Sequence, residues 1–314
     1  PDATRGCGQK PERTQGCSQV TYKLWWNFCR DRNICPFNVE SEPVISFLQN
    51  ILDSTNNLFG SVNSHRSALS LISMSNLGDD LSLKRFLKGV FKLRPPKPKY
   101  NYTWNPEKVI RYFDKSDDSS LTFLSHKLVT LLTLVTGHRL QTIALIRCSN
   151  INITDERINI FIPDLIKTSK PNSYQPNLRL PFFKENKNIC VASCLLSYLN
   201  HTESHRRITN DDHLFLTCSK PFKPATKQTL SRWVKTTLYK AGVDTKIFQA
   251  HSTRHAATSA ALRGGVSLDV IRRTAGWTQS SQTFAKFYNR PLMENNNFAE
   301  CILSQGTISI NSQL

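Results

Sequence analysis

Three short pieces of this chain, far apart in sequence, carry side chains suited to one kind of reaction. They are Thr136-Gly137-His138-Arg139, His251-Ser252-Thr253-Arg254, and Ala275-Gly276-Trp277 with Tyr288 eleven residues further on. Each alone is ordinary: an Arg after a helix-ending Gly is usually a capping cation, a His-x-x-Arg pair is one turn of a polar helix face, and a Tyr is usually core. Together they supply what breaking a phosphodiester requires. Arg139 and Arg254 match the non-bridging oxygens of a phosphate, where negative charge grows in the transition state. Tyr288 is the nucleophile, but a phenol with a pKa near ~10 needs a neighbouring base or cations to lose its proton at neutral pH. His251 suits that role, because one helical turn from Arg254 puts both on one face. The departing 5′ oxygen needs a proton, which a mobile lysine on a hairpin loop, Lys167, can deliver, with Lys170 three residues away as the alternative. Trp277 can donate its indole N–H to a phosphate oxygen while its ring packs; pure packing is the competing reading.

The elements that must position these groups are legible in the hydrophobic pattern. Helices are expected at about 106–115 and 119–136, opening a second domain that runs over 104–292. Ile158, Ile160 and Ile162 alternate with polar residues, and Leu178, Leu180 and Phe182 do so again, which predicts two strands joined by the loop holding Lys167 and Lys170. From 190 onward the reading is helical. Leu230, Trp233, Val234, Thr237 and Leu238 form one face of a helix whose other face shows Lys227, Arg232 and Lys235.

Upstream, residues 1–20 are polar, lack a hydrophobic period and are expected to form a disordered leader. Four apolar stripes then predict a small helical domain over 21–91: Tyr22, Trp25, Phe28 and Cys29; Val44, Phe47, Leu48, Ile51 and Leu52; Leu69 and Ile72; and Leu83, Phe86, Leu87, Val90 and Phe91. Its later helices carry His65, Arg66, Lys84, Arg85 and Lys88, cations for which a core has no use. Lys92-Leu93-Arg94-Pro95-Pro96-Lys97-Pro98-Lys99 reads as non-helical and belongs to an extended basic linker over 92–103, since each Pro removes a donor and restricts its predecessor. Such a segment is a solvated spacer, a nuclear import signal, or a strap across a phosphate backbone. In the tail, 293–314, the apolar Phe298, Ile302 and Leu303 either dock on a neighbouring subunit or fold back on their own domain. The expected fold class is therefore mainly α with a small β-hairpin or sheet.

The bulk numbers point to the partner. With 39% apolar and 20% charged residues in 314, the chain has the composition of a soluble globular protein of two domains. Lys and Arg number 41 against 23 acidic residues, a net charge of +18, and the pI is near 9.7. That excess calls for a polyanion. No apolar stretch approaches the ~20 residues of a membrane span, so nucleic acid is expected rather than a membrane. There is no initiating Met and no signal-peptide core, so the chain reads as a piece of something longer. Nine cysteines without a repeated CxxC pair read as free thiols; a zinc site from Cys190, Cys194, His201 and His205 is weighed and set aside, because both pairs sit along an apolar helical run. No metal or cofactor is expected. Sequons at Asn101, Asn152 and Asn200 are what an Asn-rich chain produces by chance.

The series Arg139, Lys167, His251-x-x-Arg254, Gly276-Trp277 and Tyr288 resembles the catalytic set of tyrosine recombinases, the family of phage integrases and Cre. The likeness covers nearly the whole chain. The 22–91 segment, with Ser64-His65-Arg66-Ser67-Ala68-Leu69-Ser70, resembles the family's core-binding domain, and Trp104 to about 292 its catalytic domain. The resemblance implies a C-shaped clamp on duplex DNA, a 3′-phosphotyrosine intermediate, and a homo-oligomer on DNA. It also implies that Arg139, His251, Arg254 and Trp277 bind and polarise the phosphate, that Lys167 protonates the leaving oxygen, and that Tyr288 attacks. Lys167-Thr168-Ser169 is more similar to the family's Lys-Thr-Gly phrase than the surroundings of Lys170 are. Leu87-Lys88-Gly89-Val90-Phe91 before Arg94-Pro95-Pro96, and Phe284-Ala285-Lys286-Phe287-Tyr288 before Arg290-Pro291, look most like the recombinases of DIRS-type and Ngaro-type retrotransposons, which implies integration of a mobile element in the nucleus. Two features depart from the pattern. Thr142 stands where many relatives have an acid, and the Trp277 to Tyr288 interval is slightly long. Phosphate contacts are expected from His65, Arg66, Lys88, Lys97, Lys99, Lys227, Arg232 and Lys235. The rival readings are a DNA-binding remnant without chemistry and a type IB topoisomerase.

Overall fold

The computed structural model describes residues 12–116, 118–169, 175–278 and 284–292. The chain divides into two compact units, Pro1–Pro98 and Lys99–Leu314.

The first unit is helical: α1 (Glu12–Asp31), α2 (Ser41–Ser54), α3 (Phe59–Leu69) and α4 (Leu81–Leu93). The stripes read from the sequence supply its core, with Trp25, Phe28, Phe47, Leu48, Leu69, Leu83 and Val90 buried together. Each such side chain contributes about 1.5–3 kcal/mol on leaving water. Trp25 can be buried because its indole N–H donates to the Pro36 carbonyl at 2.8 Å, while its ring meets Phe47 edge-on. Asp80 starts α4 by accepting from the Leu83 amide.

Three expectations are corrected here. Helix α1 begins at Glu12, so residues 12–20 are helical rather than part of a structureless leader. A polar segment joined to an amphipathic helix extends it at little cost, since propagation fixes one residue per hydrogen bond gained. Likewise α4 runs on through Lys92 and Leu93, so the first two residues of the expected linker are helical, and the helix stops at the residue before Pro95. Ile72, assigned to the third stripe, lies past the end of α3 and is exposed.

The second unit starts before the expected 104: Tyr100 and Thr103 are already buried in it. Helix α5 (Glu107–Asp114) is followed by α6 (Leu121–Thr136), apolar on nearly every side and therefore central, with α8 (Val191–Thr209), α9 (Lys227–Lys240) and α10 (Ser252–Arg263) packed on it. Ser120 caps α6 by accepting from the Phe123 amide. The sheet is antiparallel in the order β1 (Ile151–Ile153), β2 (Arg157–Phe161), β3 (Asn177–Pro181), with Ile158 facing Leu180 and Ile160 facing Leu178. Those four side chains are buried and their neighbours are not, which is the alternation the sequence showed. Strand β1 was not foreseen, because three residues are too few to display a period. On α9, Leu230, Val234 and Leu238 are buried and Lys227, Arg232 and Lys235 are exposed. Short α7 (Leu140–Ile143), α11 (Leu268–Thr274) and a π-helical turn, Phe284–Tyr288, complete the described elements that frame the candidate site. Among the described residues, no helix is long and apolar enough to cross a membrane.

Candidate active site

The end of α6 places the first motif. Gly137 closes the helix with φ +60°, its amide donating to the Thr133 carbonyl at 3.1 Å. That left-handed step favours glycine. A side chain there would also press on Ala275 and Thr258, at 3.2 and 3.3 Å. Arg139 follows as the N-cap of α7, half-buried, with its carbonyl accepting from the Thr142 amide at 2.8 Å.

The second motif sits at the start of α10. Arg254 is only 1% exposed, which for a guanidinium demands partners. Its Nη1 donates to the Gly137 carbonyl at 2.6 Å, tying α10 to the end of α6. Its Cζ lies 3.8 Å from the Trp277 ring centroid, a close cation–π contact. Nε and Nη2 are buried without a hydrogen-bond partner among the described residues, and so is Nε1 of Trp277. Three buried donors with no acceptor among the described residues, two of them on one guanidinium cation, call for an anion. Burial and the neighbouring Arg139 lower the Arg254 pKa to about 9, with the Tyr288 phenol opposing them; the group remains cationic at neutral pH.

The nucleophile candidate meets this cluster. Tyr288 places its hydroxyl 3.0 Å from His251 Nε2, and its ring lies 5.4 Å from the Arg254 guanidinium. His255 stacks on one side of that ring, centroids 4.1 Å apart and 18° between planes, and Trp277 meets it at 4.9 Å and 67°. Although His251 keeps solvent contact, partial burial of its ring and the charges of Arg254, Arg139, Lys99 and Lys227 lower its pKa to about 4. It is neutral at pH 7, so its Nε2 can accept a hydrogen bond from the phenol. His138 is buried beneath both arginines; burial first, then Arg254 and Arg139, lower it to about 4 against a backbone hydrogen bond with Thr274.

The structure therefore brings together Arg139, His251, Arg254, Trp277 and Tyr288. It does not bring in Lys167, which is exposed in a turn and has no hydrogen bond or ion pair with the set among the described residues. That turn is tied locally: the Ile166 amide donates to Ser169 Oγ, which donates to Gln175. Lys170 lies outside the described residues.

Of the proposed phosphate contacts, Lys88, Lys97, Lys99, Lys227, Arg232 and Lys235 are exposed. Lys99 and Lys227 are close enough for their charges to act on His251, which links them to the reacting centre. Arg66 is half-buried and donates to Asn63 at 2.9 Å. His65 is corrected as a cation: it hydrogen-bonds Thr21 at 2.9 Å, packs edge-on against Phe47, and burial lowers its pKa, so it joins helices with a neutral ring. Cys190, weighed as a zinc ligand, instead caps α8 by accepting from the Ser193 amide. Among the described residues no group of three His, Cys, Asp or Glu side chains could hold a metal ion. Sequence reasoning assigned no role to His138, His255 or Ser259. The signal for the last two was present: 251, 255 and 259 share one helix face.

Among solved structures, the chain is similar to the XerH site-specific recombinase bound to palindromic difH substrate in a post-cleavage complex. The TM-score is 0.60 and the identity 16%, over 92% of this chain and 78% of that one. It is also similar to the Tn1549 transposon integrase in complex with transposon right end DNA, with a TM-score of 0.57 and 14% identity over 96% of both chains. No curated protein matches the sequence. At these identities the likeness concerns the fold, a mostly helical architecture with a small antiparallel sheet. The sequence itself matches the phage integrase family over residues 106–295, more than half of its length. The chain thus belongs to the phage integrase family.

Proposed function

We propose that this protein is a site-specific tyrosine recombinase that cuts and rejoins DNA strands through Tyr288. The observation that carries the reading is the group of buried donors on Arg254 and Trp277, without a partner among the described residues, beside a phenol hydrogen-bonded to His251. A phosphodiester supplies the missing acceptors. Arg254, Arg139 and the Trp277 indole bind its non-bridging oxygens and stabilise the charge that grows there. Tyr288 passes its proton to His251 and attacks phosphorus, and the bond to the 5′ oxygen breaks. Lys167 is assigned to give that oxygen its proton. The products are a 3′-phosphotyrosine and a free 5′-hydroxyl, and attack by a second 5′-hydroxyl reverses the step. The tyrosyl ester conserves the bond's free energy, so rejoining requires no nucleotide hydrolysis. Exchange between two duplexes needs several strand cuts, which supports action as a homo-oligomer on DNA. The finer reading is integration of a mobile element of the DIRS or Ngaro type in the nucleus, supported by the sequence phrases around Lys88 and Tyr288.

The test uses a pool of nicked duplexes of random core sequence, in which cleavage releases a short end and leaves the covalent complex trapped. Wild-type protein is expected to retain DNA after denaturation and Tyr288→Phe none. Equal retention by both would refute the assignment. Relaxation of a supercoiled plasmid without joined product would favour topoisomerase action instead.

A further inference from the structure

The phosphate groups explain Arg254 and Trp277, but not why α10 carries two further polar residues against the nucleophile. His251, His255 and Ser259 are spaced by four, so they lie on one face of α10. Each meets a different part of Tyr288. His251 Nε2 is 3.0 Å from the phenol oxygen, and the His255 ring stacks on the phenol ring at 4.1 Å. Ser259, fully buried, donates its hydroxyl to the Tyr288 carbonyl at 2.6 Å and accepts the Arg290 amide at 3.0 Å. The π-helical turn that ends at Tyr288 leaves backbone groups to be satisfied from outside, and Ser259 satisfies one on either side of Asn289.

We propose that His255 and Ser259 are positioning residues that fix the ring plane and the backbone of Tyr288 on the same helix that holds Arg254. The proposal rests on the recombinase reading above and deepens it. Attack on phosphorus requires the phenol oxygen in line with the leaving oxygen, and an ångström of misplacement costs about 100-fold in rate. A rigid helix carrying both the phosphate ligand and the nucleophile's supports removes that freedom.

Single-turnover cleavage and DNA affinity should be measured together for Ser259→Ala, Ser259→Thr, His255→Ala and His255→Phe. The alanine variants are expected to cleave about 10- to 100-fold more slowly. Their affinity, set by phosphate contacts, should stay within about twofold. Threonine, which keeps the hydroxyl, and phenylalanine, which keeps a stacked ring, should recover most of the rate. In fluorotyrosine-labelled protein, the fluorine resonance missing from Tyr288→Phe reports this ring directly, and it should shift or broaden in both alanine variants. An unchanged resonance, wild-type cleavage by the alanine variants, or an affinity loss equal to the rate loss would overturn the proposal. Failure of the wild-type protein to trap DNA would defeat the recombinase reading alone, because the resonance reports the cradle without catalysis.

Discussion

Ionisation decides what single residues can do at this site. Arg254 is held in a buried place by a carbonyl and an aromatic face, and among the described residues its two other donor nitrogens have no partner, which an anion would supply. The two histidines beneath and beside it are held neutral first by burial and then by the same positive field. For His138, the folded value of about 4 lies below the ordinary 6.5, so between these values the unfolded chain binds more protons than the folded one. Stability from this residue is therefore complete above about 6.5 and is lost as pH falls towards 4, by about 3 kcal/mol in all. Urea unfolding at a series of pH values should show this decline, and His138→Asn should make it shallower, the remainder coming from His126 and His251, which are also lowered to about 4. An equally steep decline in the variant would place the effect elsewhere.

At the scale of elements, two glycines interlock the end of α6 with the end of α11. A side chain at Gly137 would be tight against Ala275 and Thr258, and one at Gly276 would collide with His138. A Cβ on Gly276 would come within 2.9 Å of the His138 ring, at φ +69°. This close approach is what sets Arg139 and Trp277 on the same centre. Gly276→Ala should lose about 1–2 kcal/mol for the left-handed backbone, and more for the contact. Gly265 provides the comparison: its φ is +84°, but nothing lies within 4 Å of the added carbon. Denaturant unfolding should thus show a larger loss for Gly276→Ala than for Gly265→Ala. Equal losses would mean that the His138 contact relaxes freely.

For the whole molecule, the net charge of +18 is the governing quantity. Exposed cations are carried by both units, Lys88 and Lys97 on the first, Lys99, Lys227, Arg232 and Lys235 on the second. Binding to duplex DNA should fall steeply and linearly on a log–log salt plot. Lys227→Ala and Lys235→Ala should each reduce the slope by about one and weaken all sequences alike. Fluorescence anisotropy at several salt concentrations measures both. A slope that the two variants leave unchanged would mean that α9 does not touch the phosphate backbone.

The sequence by itself determined the helical stripes, the two strand patterns, the basic charge and the identity of the polar set, because period and residue type are local properties. Trp25, Phe47, Ile158 and Leu180 were readable as core from spacing alone. It left open whether Arg139, His251, Arg254 and Tyr288 converge, since Arg139 lies more than a hundred positions before the others and Tyr288 follows on a separate element, and such residues meet only through packing. It also gave His65 as a cation, whereas burial against Phe47 and Thr21 favours the neutral ring. The roles of His138, His255 and Ser259 are tertiary for the same reason: what they do depends on which arginine, ring or carbonyl the fold brings beside them.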